Sequence, residues 1–173
     1  MAKISQNIPI IVLAGGKGER FVSKENLPKQ LAKVSSHPII IEIILHYYKN
    51  GFNYFILPLG YKLNFFLRFF KDKKNIKKYN LNIIKDKKTK IIDSKINILF
   101  FDCGLKANKL TRIKKSIKFL KRDSYKFGVC YGDIFANVSF KKELLQFDGN
   151  NIEGIVVGYN EYSPFGHIKI RNN

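Results

Sequence analysis

The segment VLAGGKGERF, Val12–Phe21, ends an apolar run in three closely spaced glycines and follows them with a cation. The run starts at Ile8 and carries no charged side chain up to Ala14, which is typical of a strand buried on both faces of a parallel sheet. Glycine lets the backbone approach a ligand closely, and successive backbone N–H groups in such a turn attract anions. The segment therefore predicts either a tight turn alone or a loop that binds phosphate.

Outward from this segment, strand-like and helix-like patterns alternate along the chain. The further strands are expected at Asn53–Leu59, Leu81–Lys85, Ile96–Phe101, Phe127–Tyr131, Ile152–Tyr159 and His167–Arg171. The helices are expected at Ile39–Tyr48, Tyr61–Phe70, Asn108–Lys121 and Ser139–Gln146, with Leu110, Ile113, Ile117 and Leu120 facing inward in the third of them. This alternation predicts an α/β sheet with crossover connections. No linker or repeat interrupts it, so we expect a single domain over residues 1–173.

Composition excludes several classes of protein. With 45% hydrophobic residues in 173, the chain can build a core and is not disordered by composition. Its apolar runs are too short to span a bilayer, and its first residues do not resemble a secretion signal. Cys103 and Cys130 show no metal-ligand spacing and indicate reduced thiols. We therefore expect a cytoplasmic protein with no membrane partner.

The net charge of +19 has two explanations. It could indicate a nucleic-acid partner. However, nearly all the cations are lysines that accompany many Ile and Asn residues, as in proteins of AT-rich genomes, so we interpret the bulk charge as compositional. The run Lys71–Lys78 is interpreted as solvated loop or helix ends. Lys17, Arg20 and Lys29 differ because they lie beside the glycines.

Three features follow predicted strands and should meet at one edge of the sheet. They are the glycine loop, Gly60-Tyr61 and Gly132-Asp133. Ligands of open α/β sheets bind beyond the carboxyl ends of the strands. The loop is not a Walker loop, because no Lys-Ser or Lys-Thr closes it. It is not a dinucleotide fingerprint either, since Phe21 stands where the third glycine belongs.

The pattern Leu-Ala-Gly-Gly-x-Gly-x-Arg, followed by LPKQL at Leu27–Leu31, resembles the first motif of the sugar-1-phosphate nucleotidyltransferases. The strings GYK, FFDCG, RIKK, YGDIFANV and FGHIKI follow in order over nearly the whole chain. Together they are most similar to the glucose-1-phosphate cytidylyltransferase branch. The resemblance implies a three-layer, mostly parallel, Rossmann-like sheet without the family's C-terminal part.

The resemblance also implies an activity, a metal and a set of site residues. The activity is transfer of a nucleotidyl group from a nucleoside triphosphate, favouring CTP, to a sugar 1-phosphate, favouring glucose 1-phosphate. Arg20 and Lys29 would be catalytic, holding the outgoing pyrophosphate and the α-phosphate, and Asp133 would bind Mg²⁺. The substrate-binding residues would be Leu13, Ala14, Gly15, Gly16, Lys17, Gly18, Glu19, Arg20, Lys29, Arg112 and Gly132.

Departures from the family pattern keep alternatives open. Lys109-Leu110-Thr111 stands where the family has Thr-Gly-Gly, and Glu19 replaces a Thr. One alternative is a degenerate relative that only binds nucleotide. Another is a basic nucleic-acid-binding domain, although no specific nucleic acid is expected. A homo-oligomer is compatible with the sequence, which does not specify the base or the sugar.

Overall fold

The computed structural model describes residues 8–16, 26–85, 89–120, 126–138, 140, 144 and 153–158. The chain divides into two compact units, Met1–Ser139 and Phe140–Asn173. In the second unit, residues 153–158 are exposed and form no strand, so the strand expected at Ile152–Tyr159 is wrong over these residues. Of the helix expected at Ser139–Gln146 only two residues are described, both helical, and the strand expected at His167–Arg171 lies outside the described residues.

The first unit contains the alternating strands and helices that the sequence predicts. The strands are β1 (Ile10–Leu13), β2 (Tyr54–Leu59), β3 (Leu81–Ile84), β4 (Ile96–Asp102) and β5 (Gly128–Tyr131). The helices are α1 (Ile39–Lys49), α2 (Leu63–Lys71), α3 (Lys73–Lys78) and α4 (Lys109–Ile117), and a 3₁₀ turn covers Lys29–Leu31. The lysine-rich run expected as solvated loop or helix ends is mostly the exposed helix α3, capped by the Asp72 side chain. Within the described part of the chain, no helix has the length and apolar character needed to cross a membrane.

All five strands are parallel, in the order β3-β4-β2-β1-β5. Parallel strands of one sheet are joined by crossovers, which are right-handed almost without exception. The chain moves from β1 to β2 to β3 in one direction across the sheet and returns through β4 to β5. The right-handed rule therefore predicts α1 to α3 on one face of the sheet and α4 on the other. This confirms the predicted α/β fold with a parallel sheet.

The central strands form the core. All of β1 and all of β2 are buried, as their continuous apolar sequences predict. Helix α1 buries Ile40, Ile41, Ile43 and Ile44. On the other face, Ile113 of α4 and the residues just after that helix pack against a buried cluster that includes Ile11, Leu13 and Ile56. These two layers hold β1 rigidly, and β1 carries the glycine loop.

Helix α4 presents a different face to the sheet from the one its apolar pattern predicts. Leu110 is 60% exposed and Ile117 is 46% exposed, so the expected inward positions are wrong for both. The buried residues of α4 are instead Arg112 and Ser116. Burying a guanidinium is costly unless every donor is paired, and the orientation of α4 provides those partners.

Candidate functional site

The parallel sheet brings together the ends of its strands, and with them the three features expected to meet. The loops after β1, β2 and β5 lie at one edge, joined by backbone hydrogen bonds. The Gly132 N–H donates to the Leu13 carbonyl at 3.0 Å, and the Tyr61 N–H donates to the Gly15 carbonyl at 3.3 Å. Leu13 of β1 is paired in register with Tyr131 of β5, so Gly132-Asp133 directly faces the start of the glycine loop.

Lys29 and Asp133, which are distant in sequence, form an ion pair at this edge. The Lys29 Nζ lies 3.2 Å from the Asp133 Oδ2, and the two side chains are 44% and 26% exposed. Lys29 begins the 3₁₀ turn that follows Pro28, and the next two residues, Gln30 and Leu31, are buried. This buried anchor fixes the backbone of Lys29, while its side chain stays partly exposed.

The first two glycines of the loop have different surroundings. Gly15 is buried, and a Cβ built on it would lie 2.6 Å from the Arg112 Cζ and 2.9 Å from the Leu59 carbonyl carbon. Gly16 is exposed, and a Cβ there would meet none of the described atoms within 4 Å. Gly15 is therefore required by internal packing, whereas none of the described atoms would crowd a side chain at Gly16.

The neighbouring predicted substrate-binding residues offer backbone rather than side chains. Leu13 is 9% exposed and Ala14 is 1% exposed. Gly132 packs so closely that an added Cβ would lie 3.1 Å from the Ala14 Cβ and 3.2 Å from the Leu13 carbonyl oxygen. Glycine at position 132 thus keeps Asp133 close to β1.

Arg112 is buried and is held by backbone carbonyls alone among the described residues. Its Nε donates to Ala107 at 3.1 Å. The Nη1 donates to the carbonyls of Pro58 and Leu59 at 2.8 and 2.9 Å, and the Nη2 donates to those of Gly15 and Gly104 at 2.9 and 3.4 Å.

These five bonds match the five N–H donors of a guanidinium, so none is left for a substrate. Burial lowers the pKa of Arg112, and the nearby Cys103 and Asp102 partly offset this. The sequence predicts a substrate contact for Arg112. Its geometry favours another role, that of joining the carboxyl ends of β1, β2 and β4.

Lys62 and Asn26 form a contact that the sequence did not reveal. The Lys62 Nζ donates to both the backbone carbonyl and the side-chain Oδ1 of Asn26, at 2.6 Å each. Asn26 lies just before the Leu-Pro-Lys motif. In the sequence, the string GYK is the feature that marks Lys62, but it does not indicate a role for this lysine.

Four of the predicted site residues, Lys17, Gly18, Glu19 and Arg20, lie outside the described residues. Asp133 is the predicted metal ligand, and the described part of the chain has no group of three or more metal-binding side chains. A single accessible carboxylate nevertheless fits Mg²⁺, which proteins commonly bind through one or two carboxylates together with substrate phosphates.

The family model for nucleotidyl transferases matches residues 9–173. A curated relative, the probable glucose-1-phosphate cytidylyltransferase of Bacillus subtilis (strain 168), is 27% identical over 175 residues, which cover 94% of this chain and 64% of the relative. HddC from Yersinia pseudotuberculosis, solved in complex with GMP-PN, is similar in structure with a TM-score of 0.58 and 22% identity, over 80% of this chain and 53% of that one. A UDP-glucose pyrophosphorylase complexed with UDP-glucose is similar in structure with a TM-score of 0.58 and 13% identity, over 82% of this chain and 53% of that one.

At these identities the two solved structures show a shared fold. The chain spans just under two thirds of the curated relative and about half of the solved ones. The family model, by contrast, covers nearly the whole of this chain, from the start of β1 onward. The chain therefore belongs to the nucleotidyl transferase family.

Proposed function

We propose that the chain takes part in nucleotidyl transfer from CTP to glucose 1-phosphate, yielding CDP-glucose and pyrophosphate. A phosphate oxygen of the sugar phosphate attacks the α-phosphorus and forms a new P–O bond. The bond from that phosphorus to the bridging oxygen of the β-phosphate breaks, and pyrophosphate leaves. The choice of CTP and glucose 1-phosphate rests on the similarity to the Bacillus subtilis relative and on the motifs it shares with the cytidylyltransferase branch.

The observation that supports this proposal most strongly is the ion pair between Lys29 and Asp133, at the sheet edge that also carries the exposed Gly16. In such transfers the protein mainly positions the reactants and neutralises charge. The backbone at Gly15 and Gly16 would receive the triphosphate, and the Lys29 ammonium would neutralise the α-phosphate. Without nucleotide, Lys29 and Asp133 neutralise each other.

Asp133 and the triphosphate oxygens would hold Mg²⁺, which supplies positive charge to the pyrophosphate that leaves. Arg20 would grip the same pyrophosphate through its planar fork. Lys17, Gly18 and Glu19 would complete the loop around the triphosphate. We propose that Arg112 serves the site indirectly, by holding the carbonyl of Gly15.

The test is pyrophosphate release from CTP with glucose 1-phosphate, followed by other nucleotides and sugar phosphates. Because both partners of the ion pair are partly exposed, the pair contributes about 1 kcal/mol or less to stability. Lys29→Ala and Asp133→Asn should therefore fold normally and lose about 10²–10³ in rate, as expected for loss of an electrostatic group at the reacting centre. Lys33→Ala, an exposed lysine on the same segment, is the matched control and should leave the rate unchanged.

Three outcomes decide the proposal. Turnover that survives both substitutions would show that the ion pair lies outside the reaction centre. If a nucleotide raises the melting temperature but no sugar phosphate gives turnover, the chain would be a degenerate family member that only binds nucleotide. The observation that supports this alternative is that the described site has a single carboxylate. No stabilisation by any nucleotide at millimolar concentration would refute the nucleotide site itself.

A further inference from the structure

Two consecutive residues after β2, Tyr61 and Lys62, contact the chain after β1 and the chain before Pro28. The Tyr61 N–H donates to the carbonyl of Gly15, where the loop leaves β1. The Lys62 ammonium donates to Asn26, two residues before Pro28. The segment Gly60–Lys62 therefore contacts the chain on both sides of residues 17–25. We call the contact of Lys62 with Asn26 the loop clasp.

The backbone around the loop clasp is strained at both partners. Asn26 has φ of 53° and Lys62 has φ of 54°, in the left-handed region. Asn tolerates this region comparatively well, but for Lys it costs about 1–2 kcal/mol relative to ordinary helical backbone. Lys62 also occupies the position just before the first residue of α2, where a lysine makes no capping bond. A lysine with this backbone conformation at a helix start is locally unfavourable. The compensating stabilisation therefore has to come from the contacts of its side chain.

The ammonium of Lys62 is committed to the loop clasp. It has three N–H donors, and two of them are used by the two oxygens of Asn26 at 2.6 Å. Its Nζ lies 5.3 Å from the centroid of the Tyr61 ring and 6.0 Å from that of Phe65, so aromatic faces flank it. This cation lies at the site edge, yet its geometry suits holding backbone rather than receiving phosphate.

From the loop clasp to Lys29 the chain is short and stiff. Pro28 fixes its own φ and lies in extended conformation, and the turn from Lys29 to Leu31 is closed by the Leu31 N–H donating to the Pro28 carbonyl at 2.9 Å. We infer that Lys62 is a positioning residue: through Asn26 it fixes the short segment before Pro28 and thereby places Lys29 for the α-phosphate of a nucleoside triphosphate. The part concerning nucleotide rests on the proposed function.

The first experiment needs no nucleotide. Hydrogen–deuterium exchange of the full chain is compared for wild type, Lys62→Met and the control Lys71→Met, which removes an exposed lysine from the end of α2. Met is unbranched, uncharged and nearly as long as Lys, and it does not relieve the backbone strain. We expect peptides covering residues 26–31 to exchange about five- to tenfold faster in Lys62→Met only, since a charged hydrogen-bonded anchor is lost. Peptides from β2 should be unchanged.

The second experiment measures CTP binding with Mg²⁺ by titration calorimetry. Lys62→Met should raise Kd about five- to tenfold because an unanchored loop must be ordered on binding. Lys62→Arg, which can still donate to both oxygens, should restore most of the affinity. Asn26→Asp, which tolerates the same backbone and adds a charge opposite Lys62, should slow exchange of residues 26–31 and make it salt-sensitive.

The outcomes separate the inference from the proposed function. If wild type binds no nucleotide, the proposed function fails, and the exchange data alone decide whether the loop clasp exists. Exchange at residues 26–31 that is the same in wild type, Lys62→Met and Asn26→Asp would overturn the loop clasp. Faster exchange with unchanged Kd would overturn the role in nucleotide binding. If Lys62→Met does not fold, the exchange of Asn26→Asp against wild type decides between the clasp and its absence.

Discussion

Replacing Arg112 by Met distinguishes the role favoured by the structure from the one predicted by the sequence. Met fills part of the same space without bringing a charge into the buried site. The change removes five hydrogen bonds to backbone carbonyls. Three of these carbonyls keep another partner. Leu59 also accepts from the Cys103 N–H at 2.9 Å, Gly15 from the Tyr61 N–H at 3.3 Å, and Gly104 from the Ala107 N–H at 3.3 Å.

Because these carbonyls keep a partner, the free energy lost with each hydrogen bond should be at the lower end of the range for hydrogen bonds to charged groups. Three of the lost bonds are shorter than 3.0 Å, and each contributes about 1–1.5 kcal/mol after this discount. The free energy of unfolding should therefore fall by about 3–5 kcal/mol, which is a large part of the roughly 5–15 kcal/mol that stabilises a typical domain. Lys114→Met, on the exposed face of the same helix, should change it by less than about 0.5 kcal/mol.

The assay is urea unfolding followed by far-ultraviolet circular dichroism, with thermal stabilisation by CTP and Mg²⁺ measured in parallel. A role in holding the strand ends predicts a large loss of stability for Arg112→Met. The reasoning would be refuted by a variant that keeps its stability within about 1 kcal/mol of wild type but is no longer stabilised by nucleotide. That result would show that the guanidinium contacts the substrate after all.

Two further predictions concern the glycine loop and a partly buried thiol. Gly15→Ala should lower the free energy of unfolding by about 1–3 kcal/mol through overpacking. Gly16→Ala should change that free energy by no more than about 0.5 kcal/mol but weaken the stabilisation by CTP. Equal destabilisation of the two variants in urea unfolding would contradict this prediction. Burial raises the pKa of the Cys130 thiol to about 12, with a hydrogen bond to Tyr47 acting in the opposite direction, so the thiol stays protonated at pH 8. Native Cys130 should then react with iodoacetamide roughly a hundredfold or more slowly than in urea, as measured by mass spectrometry, and equal rates would rule out the raised pKa.

The sequence alone determined the elements that depend on local periodicity. The continuous apolar run of β1, the alternation of strands and helices, and the glycines after β1 predicted a parallel α/β sheet with a site at its carboxyl edge. The sequence also supplied Lys29 and Asp133 as separate candidates, each from its own short motif. Residues 17–20 remain predictions, because they lie outside the described part of the chain.

The tertiary structure decided which candidates meet and which face of α4 is buried. The ion pair of Lys29 with Asp133 exists only because β5 lies beside β1. Arg112 lies inward, against the apolar pattern that favoured Leu110 and Ile117, because its carbonyl partners come from three separate strand ends. Apolar periodicity reports only the burial of side chains along one element. The pairing of a buried charge depends on donors and acceptors that become neighbours only when the sheet has formed, and that is why the sequence could not predict it.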